Sequence, residues 1–216
     1  GEDRIYANYF VNGRIKGGLG NDDIESEITV ATWSWSDVST LVDANNNSII
    51  DQTVIASIDG GDGNDEISIR GYYTYASSGK IEVDLKGGSG DDTLDGSAGS
   101  AFMVGGSGDD VLIGSVTDGG TAAYHDASSG IIADLSTGVV QDGNGGTDTL
   151  IDINSINGSD HNDAIFDSDG DDNLQGNAGD DVLVSGAGQD FLTGDTFDGS
   201  GSGSDTFVFT SKDGST

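Results

Sequence analysis

The 216-residue chain contains no cysteine and no proline. The first absence excludes a disulfide framework. The second removes slow prolyl isomerisation from folding. Basic residues are scarce: 7 lysines and arginines stand against 39 aspartates and glutamates, for a net charge of −32. Nucleic acid, anionic membranes and acidic polysaccharides are disfavoured as partners, because each is held by a basic surface. Aromatic residues are few, and no apolar run reaches the length of a membrane span. Low hydrophobicity with so much charge of one sign ordinarily leaves a chain disordered. The polypeptide alone is therefore expected to be unfolded, unless a metal that binds only the folded form shifts the balance. No secretory leader opens the sequence, and Gly1-Glu-Asp-Arg-Ile-Tyr6 reads as the tail of a repeat begun upstream.

What is abundant is glycine, 37 residues of it, and aspartate in a fixed rhythm. From Gly158 to Thr193 the chain reads in nines: Gly158-Ser-Asp-His-Asn-Asp-Ala-Ile-Phe166, Asp167-Ser-Asp-Gly-Asp-Asp-Asn-Leu-Gln175, Gly176-Asn-Ala-Gly-Asp-Asp-Val-Leu-Val184, and Ser185-Gly-Ala-Gly-Gln-Asp-Phe-Leu-Thr193. Asp163, Asp172, Asp181 and Asp190 hold the sixth place; Ile165, Leu174, Leu183 and Leu192 hold the eighth. Full matches also start at Gly17, Gly60, Gly87 and Gly105. Ser200-Gly-Ser-Gly-Ser-Asp-Thr-Phe-Val208 restores the rhythm near the end, with Asp205 in place six.

A short fixed period means a solenoid. Six residues of Gly, Asp and Asn make a turn, since Gly takes positive φ without steric cost and Asp and Asn tolerate it. The last three make a short strand whose middle side chain points inward. Two nonapeptides make one coil, so sixth-place aspartates eighteen residues apart stack: Asp163 on Asp181, Asp172 on Asp190, Asp92 on Asp110. Stacked strands lie about 4.8 Å apart. Two carboxylates at that spacing repel by about 3 kcal/mol at an effective dielectric near 20. A hard divalent cation, which takes six to eight carboxylate and carbonyl oxygens, turns that repulsion into bonding.

The nonapeptide resembles the G-G-x-G-x-D-x-U-x unit of the repeats-in-toxin (RTX), hemolysin-type calcium-binding family. The resemblance implies an all-β fold, a right-handed parallel β-roll (β-solenoid) in two blocks with strand and hairpin insertions. It implies several Ca2+ ions, held by Gly18, Gly20 and Asp22; by Gly61, Gly63 and Asp65; by Gly88, Gly90 and Asp92; by Gly106, Gly108 and Asp110; and, in the second block, by Asp160, Asp163, Asp169, Asp172, Gly179, Asp181, Gly188, Asp190 and Asp205. His161 lies inside one such turn and would offer only its backbone carbonyl. The resemblance further implies a secreted or cell-surface, monomeric module of a larger bacterial protein. Type I secretion machinery would export the chain unfolded, and extracellular calcium would then fold it and stabilise the parent. Asp205-Thr-Phe-Val-Phe209 is similar to the segment that closes the repeats ahead of a C-terminal export signal in this family.

The first block spans 1–114, with insertions at 26–57 and 69–84; a spacer, 115–157, continues the solenoid without metal; the second block spans 158–216. Ile28 to Trp35 alternates as a strand, with Trp33 and Trp35 on one face, either packing on a neighbouring strand or forming a platform for a glycan or surface ligand. Ile67–Tyr75 and Lys80–Leu85 around Ser77-Ser-Gly79 read as a hairpin, and Tyr72, Tyr73 and Tyr75 carry the same two readings. Asp43, Asn45, Asn47 and Asp51 resemble places one, three, five and nine of an EF-hand or dockerin loop; Ser48 stands for its Gly, and Val54 for its bidentate acid. Those departures leave a polar turn as the rival. In the coil side Gly96–Val104, Ala101 replaces the aspartate, which predicts a rung without calcium or with a weak site. Ile131–Leu135 and Leu150–Ile156 are predicted strands of the spacer.

Catalytic motifs are absent from the sequence. No G-x-G-x-x-G is completed, no P-loop lysine or H-E-x-x-H occurs, and His125 and His161 are far apart in sequence. The Asp-Asp pairs are periodic, which fits metal turns better than a glycosidase pair. Two other roles for a calcium-folded module stay open: a ligand-binding region of a large adhesin, and an accessory domain of a secreted enzyme. An ice-binding face would need regular small hydroxyl residues, and Leu19, Asp62, Ser89 and Ser107 in place three are irregular.

Overall fold

The computed structural model describes residues 4–8, 13–27, 54–70, 81–196 and 201–210. The first block contributes β1 (Arg4–Asn8), β2 (Gly13–Leu19), β3 (Asp23–Glu27), β4 (Val54–Asp62), β5 (Glu66–Arg70), β6 (Ile81–Ser89), β7 (Thr93–Asp95), β8 (Ala101–Ser107) and β9 (Val111–Ile113). The spacer contributes β10 (Thr121–Ala123), β11 (Ile132–Asp134), β12 (Val139–Gln141), β13 (Thr147–Ile151) and β14 (Ser155–Asn157). The second block contributes β15 (Ala164–Phe166), β16 (Asn173–Gln175), β17 (Val182–Ser185), β18 (Phe191–Thr193) and β19 (Thr206–Phe209).

Strands alternate between two sheets, except that β11, β12 and β13 lie in the same one. Among the described residues one sheet has eleven strands in the order β1-β3-β5-β7-β9-β13-β12-β11-β15-β17-β19, the other eight in the order β18-β16-β14-β10-β8-β6-β4-β2. Every pairing of these strands is parallel except those of β12 with β11 and β13. This is the parallel β-roll that the period predicts.

One inward side chain per strand builds the core. On the first sheet Ile67, Leu94, Leu112 and Leu150 stand in register, each over the next, as do Ile165 and Leu183. On the second, Ile58, Leu85, Met103 and Ala122 form one run. Ile156 and Leu174 continue it. All are buried. Period-2 alternation puts one residue of each three-residue strand inside, so the roll is a single row of aliphatic side chains deep on each face. Fully burying one such side chain contributes about 1.5–3 kcal/mol.

Insertions leave the stacking intact. Glycines 43 residues apart pair as Gly18↔Gly61, and those 27 apart as Gly61↔Gly88. Closing a long loop costs only logarithmically more than closing a short one.

Two expectations need correction. The described arms of the expected hairpin, β5 and β6, lie in different sheets: β5 pairs with β3 and β7, β6 with β4 and β8, all parallel. Each arm already has a parallel partner one rung away on both sides, which leaves no edge for the other. Leu150–Ile156 is not one strand either. It breaks at Asp152, at φ 53°, and divides between β13 and β14 in opposite sheets. The spacer also folds back on itself. The chain passes from β9 through β10 in the other sheet to β11, returns through antiparallel β12, and β13 then takes the place over β9. Residues 28–53 and 71–80, with the Trp33/Trp35 strand, the Asp43–Asp51 loop and the hairpin's tyrosines, lie outside the described residues.

Candidate metal centre

The turn of Gly87–Asp92 shows how the nonapeptide builds a site. Gly88 and Gly90 adopt φ of 123° and 126°, which L side chains rarely do. A Cβ on either would overlap the carbonyl oxygen of the equivalent glycine one rung below, Gly61 or Gly63. Those oxygens therefore lie between rungs, where a shared cation could use them. A Cβ on Gly87 would instead overlap Oδ2 of Asp92 in its own turn. The first place is glycine because the carboxylate occupies that space. The same overlap recurs at Gly60, Gly105, Gly158, Gly176 and Gly194, against Asp65, Asp110, Asp163, Asp181 and Asp205.

The sixth-place carboxylates form a ladder. The amide of Asp22 donates to Oδ1 of Asp65 at 2.6 Å, that of Asp65 to Asp92 at 2.7 Å, and that of Asp92 to Asp110 at 2.8 Å. In the second block the amide of Ile131 donates to Asp163 at 2.8 Å, Asp163 to Asp181 at 2.8 Å, and Asp181 to Asp205 at 3.1 Å. Each carboxylate thus reaches back one rung. Its other oxygen, Oδ2, is buried without a hydrogen-bond partner in Asp65, Asp92, Asp110 and Asp181. A buried acceptor left unsatisfied costs about 1–3 kcal/mol, more when charged. A column of them, beside stacked carbonyl oxygens, fits an oxygen-seeking divalent ion.

The acidities agree. Burial pushes Asp92 up to about 7, with the Asp65 amide opposing and Asp110 and Asp65 reinforcing. Burial pushes Asp110 and Asp181 to about 6 in the same way, and raises Asp65 and Asp163. Without a counterion the ladder therefore holds its protons to higher pH than free carboxylates do.

A second, shorter ladder runs along the opposite row of turns, where the Asp172 amide donates to Asp190 at 3.4 Å. Here Asp167, Asp172 and Asp190 each offer a carboxylate oxygen, all within 4.8 Å of one another. Asp167 stands in the first place of its nonapeptide, where most repeats have glycine. Burial, then the contact with Asp172, pushes it up to about 7. Sequence reasoning missed it, although an acid in a glycine's place was a visible signal.

Other expected residues fall differently. Asp160 and Asp169, in third places, are exposed on the outside of their turns. Ser159 donates to both oxygens of Asp163, at 2.7 Å from its amide and 2.6 Å from its hydroxyl, so this rung is already satisfied. His161 is exposed, and its carbonyl accepts from the Ser159 hydroxyl at 3.3 Å. At Gly96 the neighbour is the methyl of Ala101 instead of a carboxylate. A further feature went unseen: fifth-place side chains form an exposed ladder that reaches forward. The amide of Asp91 donates to Asn64 Oδ1 at 3.1 Å, Asp109 to Asp91 at 3.0 Å, and Asp180 to Asn162 at 2.9 Å.

The RTX calcium-binding nonapeptide repeat matches this chain in four copies, at residues 57–68, 84–112, 157–192 and 166–207. No curated protein matches the chain. The repeat binds Ca2+, and the clustered aspartates described above fit that ion.

Proposed function

We propose, for a chain that belongs to the RTX calcium-binding repeat family, that it is the calcium-triggered folding module of a larger secreted protein. The observation that carries this reading is the column of buried carboxylates whose second oxygen lacks a partner. Such a column opposes folding when bare and favours it when a cation fills it. In a calcium-poor cytosol the acidic chain stays extended, which suits passage through a type I export channel. Outside, millimolar calcium matches the weak affinity of extracellular sites. Rungs then close upon one another, which retains the exported chain and stabilises the parent protein. The repeats are structural elements that bind calcium; the chemistry of the parent resides in other sequence.

Secretion of the parent protein in millimolar calcium tests this. Combined Asp92→Asn, Asp110→Asn and Asp181→Asn replacements are expected to lower the amount accumulating outside the cell, at equal intracellular synthesis. Export yield and extracellular lifetime equal to those of the parent would contradict the proposal.

A further inference from the structure

The core row accounts for the inward side chains of the eleven-stranded sheet. Its outward side chains are of two kinds. On β5 and β7 they include Glu66, Ser68, Thr93 and Asp95, in keeping with an acidic chain. Along β9-β13-β12-β11-β15-β17-β19 they turn apolar. Ile132, Val139, Ile151, Phe166, Val182 and Val208 stand on that outer face, each 37–47 % exposed. They keep register across the strands: Ile132 lies beside Ala164 and then Val182, and Phe166 beside Val184 and then Val208. Strand propensity does not explain them. In β14 and β16 of the opposite sheet, equally short, Ser155, Asn157, Asn173 and Gln175 take the outward places. A contiguous row of exposed apolar side chains marks a contact surface.

The shape of this strip selects its occupant. Stacked strands make it about 29 Å long, and strands of three residues make it about 10 Å wide. A footprint of roughly 300 Å² is far below the ~800 Å² per partner of a stable dimer. A second copy would also bring its own net charge of −32. The main chain of the strip is already paired within the sheet, so an occupant must satisfy its own backbone hydrogen bonds. An extended peptide lying on the face does not do so; a helix does. A helix is about 10 Å across and rises about 1.5 Å per residue, so roughly 20 residues span the strip. Its pitch of about 5.4 Å lays nearly one turn on each rung. The rims set the charge. Asp109, Asp160 and Asp180 are exposed in turns ahead of these strands, and Asp152 is exposed after β13. Asp134, an acid on the strip itself, turns to its own chain, where Oδ1 accepts the Ser136 amide at 2.9 Å and hydroxyl at 2.6 Å. An apolar floor between acidic rims complements a helix whose apolar face is flanked by lysine or arginine.

We propose that this outer face docks a basic amphipathic helix of a separate polypeptide, about 20 residues long and laid along the roll with its apolar side on Phe166 and Val182. The site is distinct from the metal turns, which lie at the strand ends. It exists only when the rungs are stacked, so calcium that folds the roll also creates the face.

The probe is a fluorescent peptide of about 20 leucines and lysines with leucine at helical spacing, beside a scrambled peptide of equal composition. Anisotropy titrations with the full chain in saturating calcium measure binding, after circular dichroism has shown each chain folded. The amphipathic peptide is expected to bind saturably, and the scrambled one roughly tenfold or more weaker. Phe166→Glu combined with Val182→Glu makes the chain more acidic, so attraction by charge alone would tighten. The proposal expects that variant to bind roughly tenfold or more weaker. Phe166→Ser combined with Val182→Thr changes no charge and should weaken binding likewise; it decides if the glutamate variant does not fold. Equal binding of the two peptides, or a folded variant that binds as well as the parent, overturns the proposal. A folded parent that leaves the peptide unbound overturns it too, and sedimentation equilibrium then shows whether a second copy holds the face.

Discussion

Glycine in the first place of each turn and aspartate in the sixth are one device, because the carboxylate of one fills the space that a side chain on the other would need. Gly105→Ala puts a methyl against Asp110 Oδ2. Overpacking of this kind costs about 1–3 kcal/mol, about fivefold or more in the folding equilibrium, so the calcium midpoint should rise, by a calcium titration of the variant beside the parent. Asp92→Asn should have opposite effects with and without the ion. It removes one charge from a repelling column, and so should raise the pH up to which β-structure persists in chelator; it removes a proposed ligand, and so should lower the urea midpoint in saturating calcium. A loss of structure in both conditions would mean that the carboxylate serves only as a hydrogen-bond acceptor. The pH dependence has a definite sign as well. Asp92 and Asp148 titrate at about 7 and Asp110 and Asp181 at about 6 in the metal-free fold, all raised from 3.8, with burial the main cause. The folded chain then holds protons that the unfolded chain releases. The contribution of these groups to metal-free stability is fully present below about pH 4 and is lost as pH rises through 6 and 7. Calcium competes with the same protons, so its affinity should weaken as pH falls through that window. Far-UV circular dichroism in chelator and calcium titrations, each from pH 4 to 8, check both signs.

At the scale of the element, strands such as β7, β9, β15 and β16 are three residues with one buried side chain, and most of their stability comes from that row. Leu112→Ala should cost about 2–5 kcal/mol in saturating calcium. Ile113→Ala, on the outward side of the same strand, should cost far less; denaturant unfolding of the two variants measures the contrast. This is also the scale at which the sequence was most and least readable. Ile165, Leu174 and Leu183 could be placed inside from the period alone, because a nine-residue turn-and-strand unit is a local structure. The stacking of Asp163 on Asp181 followed from counting two units to a coil. The β5–β6 pairing was misread because alternating β-formers around Ser77-Ser-Gly79 satisfy a hairpin locally, while the true partners lie 43 and 27 residues away for β5 and 27 and 18 residues away for β6. The contact of Asp148 with Asp110, whose amide donates to its Oδ1, went unrecognised because the 38 residues separating them are not a multiple of nine. The excess is the meander β11–β12, which no period announces. The place of Asp167 in the acidic cluster went unrecognised because only the fold shows that a first-place side chain faces the sixth-place carboxylates of its own turn and the next rung's.

For the whole molecule the governing quantity is charge. A net charge of −32 on 216 residues opposes compaction, and the buried ladders concentrate that opposition along the row of turns. Monovalent salt should screen the exposed acids and leave the buried column largely unrelieved, since buried pairs are screened far less than exposed ones. Calcium should therefore do what ionic strength cannot. Magnesium should do little, because it demands near-ideal octahedral geometry and gives up water reluctantly. Far-UV circular dichroism of the whole chain, titrated with calcium against magnesium at constant ionic strength, tests this most directly. The predicted result is a cooperative transition from coil to β-structure at submillimolar to millimolar calcium, in the range of extracellular calcium modules, with no transition in magnesium. Full β-structure that survives exhaustive chelation at pH 8 would contradict it.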